Sequence, residues 1–205
     1  PTQFDNKSDY NDYPKNTKKD LQILKKLNIN FVFIPSIKQV YNSKRKSKIK
    51  ISKKNQILCA KFRKGHFEGV LDVMDRLISL INPKKIFMGE KDFQQLYLVK
   101  NNIKKKFKGL VVSCKTIRDS NKLALSSRNI HLNKKELIRT GKLARHLISF
   151  KKNLINKKKI NDLIDIEKKY LNKFFNIKVE YLELRNKFNL EKTNKTNNSK
   201  LFIAY

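Results

Sequence analysis

Apolar residues recur at helix-like and strand-like intervals along the first half of the chain. Between residues 18 and 28 they fall three apart, which predicts a helix with one apolar side. Residues 31–34 form a continuous apolar run that Pro35 stops, as expected for a strand buried on both faces. The same alternation repeats twice, predicting helices over 69–81 and 92–106 and strands over 85–88 and 110–114. This order predicts a parallel sheet with helical cover, whose ligands bind at the carboxyl ends of the strands.

The pattern changes after residue 117. A polar segment over 118–129 comes first, and predicted helices (134–152 and 161–175) and strands (179–184 and 201–205) follow it. We therefore predict an α/β protein with two domains. A parallel-sheet domain spans 1–116, and a smaller α+β domain spans 117–205.

The charge balance raises a different hypothesis. The chain has 49 Lys and Arg against 17 Asp and Glu, a formal net charge of +32 that would suit a nucleic-acid binder. Yet lysines occur on nearly every predicted element, together with abundant Asn and Ile, whose codons are also A/T-rich. We favour compositional drift. The densest cluster, Lys44 to Lys54, carries the alternative of a basic nucleic-acid-binding protein without enzymatic activity. No apolar stretch approaches membrane-spanning length.

The segment Gly89 to Leu96 carries the strongest chemical signal. It follows an apolar run and precedes a helical pattern, so it predicts a strand that ends in a glycine turn at a helix N-terminus. Such a turn gathers unpaired backbone N–H groups and the positive end of a helix dipole, which suits a phosphate. Lys91 supplies a mobile positive charge, and Gln95 supplies a neutral donor and acceptor. Taken alone, the pattern is more often an ordinary strand–helix turn with Asp92 as a cap.

Several further patterns occur in order over nearly the whole chain. They are Pro1-Thr2-Gln3-Phe4, Tyr13-Pro14, Gly65 to Val70, Gly89 to Leu96, Leu123 to Asn129 and Tyr181 to Arg185. With this set the chain resembles the pantothenate synthetase (pantoate–β-alanine ligase) family of the nucleotidylyltransferase superfamily. The combination is highly specific, although each pattern alone is weak. The resemblance implies that the first domain is Rossmann-like and binds nucleotide and pantoate, and that the second is a lid.

The resemblance also implies an activity in pantothenate biosynthesis, on the route to coenzyme A. ATP and pantoate first form pantoyl adenylate and pyrophosphate, and the amine of β-alanine then displaces AMP to give pantothenate. The enzyme is therefore expected to be an AMP-forming ligase that makes an amide bond, with Mg²⁺ accompanying the nucleotide. From the family we expect a cytoplasmic protein that is a homodimer when intact, with no membrane partner and no specific nucleic-acid partner.

The family pattern can be carried over residue by residue. It implies an ATP site lined by Gly89, Glu90, Lys91, Asp92, the backbone of Ile117, Leu125, Ser126, Ser127 and Arg128. Gln3 and Gln95 are expected to hold pantoate, with Gln3 also near β-alanine. Lys91 and Arg128 are the implied catalytic residues, because a lysine at a helix N-terminus and an arginine on a movable loop offset repulsion between two reacting anions. The magnesium ligands are left unassigned.

Two of the chain's departures from the family bear on its chemistry. Family members carry, upstream of the Gln3 motif, a strand that ends in a Met-Gly-x-Leu-His-x-Gly-His signature, and this chain has none. We therefore expect an N-terminally truncated fragment that is inactive alone, or, as a third hypothesis, the product of a decayed or split gene. Asn121 and Lys122 stand where the family usually has Asp-Gly. Because lysine takes a positive φ poorly, this substitution puts the geometry of the loop's hinge in question.

Overall fold

A computed structural model gives the structure of the protein and describes residue 4 and residues 7–41, 49–104 and 107–205. Its helices are α1 (Lys7–Asn11), α2 (Thr17–Lys26), α3 (Ile37–Val40), α4 (Cys59–Phe62), α5 (His66–Ile81), α6 (Phe93–Ile103), α7 (Lys134–Asn153) and α8 (Ile160–Phe174). Its strands are β1 (Lys85–Gly89), β2 (Leu110–Cys114), β3 (Tyr181–Asn186) and β4 (Ser199–Ala204). Single 3₁₀ segments cover Lys53–Asn55, Glu90–Asp92 and Ser127–His131.

The chain forms two compact units that interleave along the sequence. The first unit comprises residues 1–52, 63–88 and 95–113, and the second comprises residues 53–62, 89–94 and 114–205. The predicted domains over 1–116 and 117–205 stay a prediction.

The first unit contains the long helix α5 and the parallel pair β1 and β2, apart from the last residue of each strand. Both strands lie where the apolar runs predict them. Helix α5 buries the apolar side chains of Phe67, Val70 and Leu71 near its N-terminus. It begins three residues before the predicted start at residue 69, after Gly65 with a φ of 78°. Glycine adopts this left-handed conformation without steric cost, which lets the chain turn directly into the helix.

The strand predicted over residues 31–34 is wrong. These residues have no regular structure, and their side chains are exposed, with Phe31 at 93%. A strand that is buried on both faces needs hydrogen-bonded neighbours and covering helices. In the described part of the first unit, β1 and β2 pair only with each other. The apolar run therefore has no ladder to join there.

The second unit has its own hydrophobic core between α7, α8 and the antiparallel pair β3–β4. The strands run in register from the pair Tyr181–Ala204 to the pair Asn186–Ser199. Fully or almost fully buried residues form the core: Leu143, Leu154, Ile160, Ile164, Leu171, Phe175, Val179, Leu182 and Leu184. Asn133 and Glu136 form a reciprocal capping box that fixes the start of α7. All four elements confirm the sequence prediction to within two residues.

Candidate functional site

The turn that follows β1 is the first part of the candidate site. Gly89 has an extended backbone, with φ −71° and ψ 138°, so no positive φ requires glycine here. A Cβ added to Gly89 would meet nothing within 4 Å, which means that open space lies beside its backbone. Glu90–Asp92 then form the 3₁₀ segment, and α6 begins at Phe93. The predicted strand–turn–helix arrangement is confirmed, with the helix starting one residue later.

The three charged side chains of this turn have different surroundings. Glu90 is half-buried, and its Oε2 accepts a hydrogen bond from Lys200 Nζ at 2.7 Å. Lys91 and Asp92 are exposed, and Lys91 Nζ lies 3.7 Å from Asp92 Oδ1, beyond hydrogen-bond length. The ammonium of Lys91 is therefore at the protein surface, where an anionic ligand can reach it.

Gln94, which sequence reasoning did not select, anchors this turn. Its side chain is buried, and its Nε2 donates to the carbonyl oxygens of Ile57 at 2.7 Å and Asn55 at 3.2 Å. Its Oε1 accepts from the backbone N–H of Ala60 at 3.4 Å. These bonds tie the turn to residues 53–62 inside the second unit. No local pattern in the sequence distinguishes this glutamine from its neighbour, Gln95, which is half-buried and belongs to the first unit.

A second predicted segment is tied together by backbone hydrogen bonds. The N–H of Leu125 donates to the carbonyl oxygen of Ile117 at 3.0 Å, so these two predicted site residues are adjacent. Arg118 and Ala124 form an isolated antiparallel bridge beside them. The side chains of Ile117 and Leu125 are exposed, at 66% and 54%. Two apolar side chains are thus presented at the surface beside a fixed backbone, which suits contact with a ligand.

Lys122 makes the tight turn at the tip of this segment and has a φ of 70°. The left-handed conformation that the sequence put in question is therefore adopted. The turn is held by Asp119, whose carbonyl accepts from the N–H of Lys122 and whose Oδ1 accepts from the N–H of Leu123, each at 2.9 Å. Arg118 also donates to the carbonyl of Lys122 at 2.9 Å. These bonds offset the cost of placing a lysine where glycine fits best.

Helix α7 supports the same turn from inside the second unit. A Cβ on Gly141 would lie 2.8 Å from Cβ of Asn121, so only glycine permits this approach. Arg145, one turn further along α7, donates to the carbonyl of Asn121 at 3.1 Å. Sequence reasoning missed both α7 residues, because each contacts a partner about twenty positions away and neither belongs to a recognisable motif.

The predicted phosphate-binding residues follow this turn. Ser126 caps the short 3₁₀ segment, accepting from the backbone N–H of Arg128 at 3.3 Å. Asn129 Nδ2 donates to the carbonyl of Ala124 at 3.1 Å and closes the base of the segment. Ser127 and Arg128 are exposed. A locally fixed backbone therefore presents a hydroxyl and a guanidinium at the surface.

The structure sorts the predicted site residues between the units. The second unit holds all the predicted ATP residues: Gly89, Glu90, Lys91, Asp92, Ile117, Leu125, Ser126, Ser127 and Arg128. Gln95 belongs to the first unit, and Gln3 lies outside the described residues, as do residues 42–48 of the basic cluster. Across the described ranges, no group of three or more His, Cys, Asp or Glu side chains is arranged to hold a metal ion.

Comparison with known proteins gives consistent matches. The sequence model of one family, described as Pantoate-beta-alanine ligase, matches residues 1–205. The chain is 40% identical to a bifunctional pantoate ligase/cytidylate kinase of Prochlorococcus marinus subsp. pastoris over 97% of this chain and 39% of that protein. It is 33% identical to the pantothenate synthetase of Pseudothermotoga lettingae over 95% of this chain and 70% of that protein. The chain thus spans about two fifths of the bifunctional relative's length.

Solved structures agree with these matches. The crystal structure of pantothenate synthetase from Thermus thermophilus superposes with a TM-score of 0.86 at 26% identity, covering 95% of this chain and 71% of that one. A pantoate-beta-alanine ligase from Francisella tularensis, complexed with beta-gamma ATP and beta-alanine, matches with a TM-score of 0.77 at 30% identity, covering 89% and 67%. The predicted fold class is confirmed. The nucleic-acid hypothesis is not supported by these matches.

Proposed function

Since this chain belongs to the pantoate–β-alanine ligase family, we propose that the protein containing it condenses pantoate with β-alanine at the expense of ATP. In this proposal the second unit supplies a cationic site for the triphosphate. The main support for this site is that every predicted ATP residue lies in this one unit, with Lys91 and Arg128 both exposed. The Francisella relative, solved with ATP and β-alanine, supports the assignment of these two ligands.

The first half-reaction brings two anions together. A carboxylate oxygen of pantoate forms a bond to the α-phosphorus of ATP, and the bond from that phosphorus to the bridging oxygen breaks, so pyrophosphate leaves with the electron pair. Negative charge grows on the departing phosphates. In this proposal Lys91 and Arg128 bind those oxygens and stabilise the charge where it develops. Arg128 is suited to this role because its planar guanidinium can donate two parallel hydrogen bonds to one phosphate.

The second half-reaction is an amide synthesis. The amine of β-alanine attacks the carbonyl carbon of pantoyl adenylate, loses a proton, and displaces AMP. Gln95 is the described candidate for orienting pantoate, since an amide can pair with hydroxyl and carboxylate groups without adding charge. Gln3 has the same proposed role and also serves β-alanine. A segment such as Leu125–Arg128 that covers the nucleotide would keep water from the mixed anhydride.

Mg²⁺ accompanies ATP in this proposal, and the residues present are not those of a dedicated metal site. The carboxylates of the turn are one exposed Asp92 and one Glu90 that is paired with Lys200. Mg²⁺ commonly takes most of its oxygens from phosphates and water, with one or two carboxylates. We therefore assign Mg²⁺ to the phosphates of ATP, and we assign the protein's share of charge neutralisation to Lys91 and Arg128.

Titration of the chain with MgATP by calorimetry tests the proposal. Lys91→Ala and Arg128→Ala should each weaken binding by about tenfold or more, the usual size of a lost charge-assisted phosphate contact. Lys100→Ala and Lys135→Ala remove exposed lysines outside the site and serve as matched controls that keep wild-type affinity. Equal effects in all four variants would show that the binding is a diffuse response to net charge, which would refute the site.

We also propose an oligomeric state and a cellular location. The intact protein is a homodimer, and it works in the cytoplasm, both by analogy with the family. In the described part of the chain no helix has the length and apolar character needed to cross a membrane. Size-exclusion chromatography with light scattering on the intact protein measures the first feature, and a monomer at micromolar concentration would overturn it.

A further inference from the structure

We propose that Lys200 is a positioning residue of the nucleotide site, and this inference rests on the proposed function. Lys200 lies on β4, 110 positions from Glu90, and its Nζ donates to Glu90 Oε2 at 2.7 Å. The side chains are 28% and 24% exposed, so the pair is partly withdrawn from water. A charge-assisted hydrogen bond in such a place is shorter and stronger than a surface ion pair.

A second set of contacts fixes Lys200 above the turn. Its Nζ lies 4.7 Å from the centroid of the Phe93 ring, where a cation is attracted to the aromatic face. Phe202, two residues along β4, meets the same ring edge-to-face with centroids 5.8 Å apart. Residues two apart on a strand share one face, so this face of β4 covers the segment from Glu90 to Phe93. All these residues belong to the second unit.

The charges show what this arrangement achieves. Glu90, Lys91 and Asp92 together carry one net negative charge, which would oppose a triphosphate at this turn. Lys200 neutralises that charge and directs the Glu90 carboxylate toward β4. Without it, the carboxylate can swing to the neighbouring Lys91 and compete with phosphate for its ammonium. Lys200 therefore acts on the nucleotide through Glu90, and it keeps Lys91 available for the ligand.

The first test is a double-mutant cycle on MgATP affinity. Lys200→Met keeps most of the side-chain volume but removes the charge, and it should weaken MgATP binding about tenfold, or about 1.4 kcal/mol. Lys200→Arg should restore most of that loss. In a Glu90→Gln background, adding Lys200→Met should change the affinity by less than about twofold, because the carboxylate that Lys200 controls is gone. An undiminished tenfold loss in that background would overturn the proposal.

AMP supplies a readout that a merely structural role would not produce. A distorted site would lose affinity for AMP and ATP alike, whereas an unpaired carboxylate penalises ATP more because ATP carries more negative charge. Lys200→Met should therefore weaken ATP binding by a larger factor than AMP binding. Equal factors would contradict the assigned role.

Hydrogen exchange separates this inference from the proposed function. In the ligand-free chain, Lys200→Met should speed amide exchange in residues 90–93, while the core of α7 and α8 keeps wild-type protection. Unchanged exchange in residues 90–93 would refute the positioning role whether or not the chain binds ATP. If Lys200→Met exchanges faster but the chain binds no ATP, the ion pair still holds this turn. The absence of ATP binding would then refute both the proposed function and the role of Lys200 in nucleotide binding.

Discussion

The buried side chain of Gln94 gives the sharpest prediction about what holds the candidate site. Gln94→Glu keeps the size and shape of the side chain but replaces its two N–H donors with an oxygen. That oxygen would face the carbonyl oxygens of Ile57 and Asn55, which now lie 2.7 and 3.2 Å from Nε2. Each lost bond costs about 0.5–1.5 kcal/mol, and each buried acceptor left without a donor costs about 1–3 kcal/mol. Because Gln94 is 4% exposed, little water can compensate.

For two lost bonds and two acceptors the sum predicts a loss of about 3 kcal/mol or more in the free energy of unfolding at neutral pH. The loss should depend on pH. Burial and the two carbonyls raise the pKa of the introduced carboxyl in the folded state, while in the unfolded chain it stays near about 4.3. A raised folded-state pKa means that the stability is greatest below the unfolded value and falls as pH rises through the folded value. The protonated acid can donate one hydrogen bond, so part of the loss should be recovered at low pH.

Urea denaturation followed by circular dichroism at pH 5 and pH 8 measures this difference. Gln56→Glu is the matched control, because Gln56 is exposed in the segment 53–62 to which Gln94 is hydrogen-bonded, and it should change stability by less than about 0.5 kcal/mol. If Gln94→Glu were as stable as the control at pH 8, or if its deficit were the same at both pH values, the described hydrogen bonds would not be what holds this turn.

Three further predictions concern other parts of the chain. Asp72→Ala should cost about 3–5 kcal/mol in urea denaturation, because it removes the carboxylate that lies 2.9 Å from the buried guanidinium of Arg76. Asp75→Ala changes a less buried side chain on the same helix, serves as the control and should cost less. Burial, and then the hydrogen bond with Cys59, raises the pKa of Tyr181 above its ordinary 10.0. The stability that the protonated Tyr181 hydroxyl gives the folded state is therefore fully present below pH 10 and should fall above it, by up to about 1.4 kcal/mol per pH unit. Alkaline denaturation measures this slope, and Tyr181→Phe should remove it. A slope that persists in Tyr181→Phe would contradict the assignment. Lys122→Gly should raise the midpoint of thermal unfolding. It relieves the strain of a lysine in the left-handed conformation, about 1–2 kcal/mol, which outweighs the cost of the extra backbone entropy of glycine, about 0.5–1 kcal/mol. A lower midpoint would refute this balance.

The elements that the sequence predicts well are those whose own periodicity sets their structure. Helices α5, α7 and α8 and strands β1 to β4 all lie within a few residues of their predicted positions. The failure over residues 31–34 has a physical cause. An apolar run reports that its side chains favour burial, but it says nothing about whether a neighbouring strand is present to bury them.

The residues of the candidate site also differ in how well the sequence predicts them. Lys91 and Arg128 are predicted as site residues from contiguous motifs, because a turn and the start of a helix are encoded by neighbouring residues. The partners that hold those motifs are distant in sequence: Lys200 with Glu90, and Gly141 with Asn121. One more lysine in a chain with 49 Lys and Arg residues carries no distinguishing mark until the fold places it beside a carboxylate.

Amide chemical shifts of the chain during titration with MgATP test whether one cationic site binds the triphosphate. Residues 89–92 and residues 125–128 should shift together, with one saturating dissociation constant, and Lys91→Ala should weaken the response of both segments. Shifts confined to the lysines of residues 49–54, or a response of one segment that is independent of the other, would contradict a single cationic site for the triphosphate.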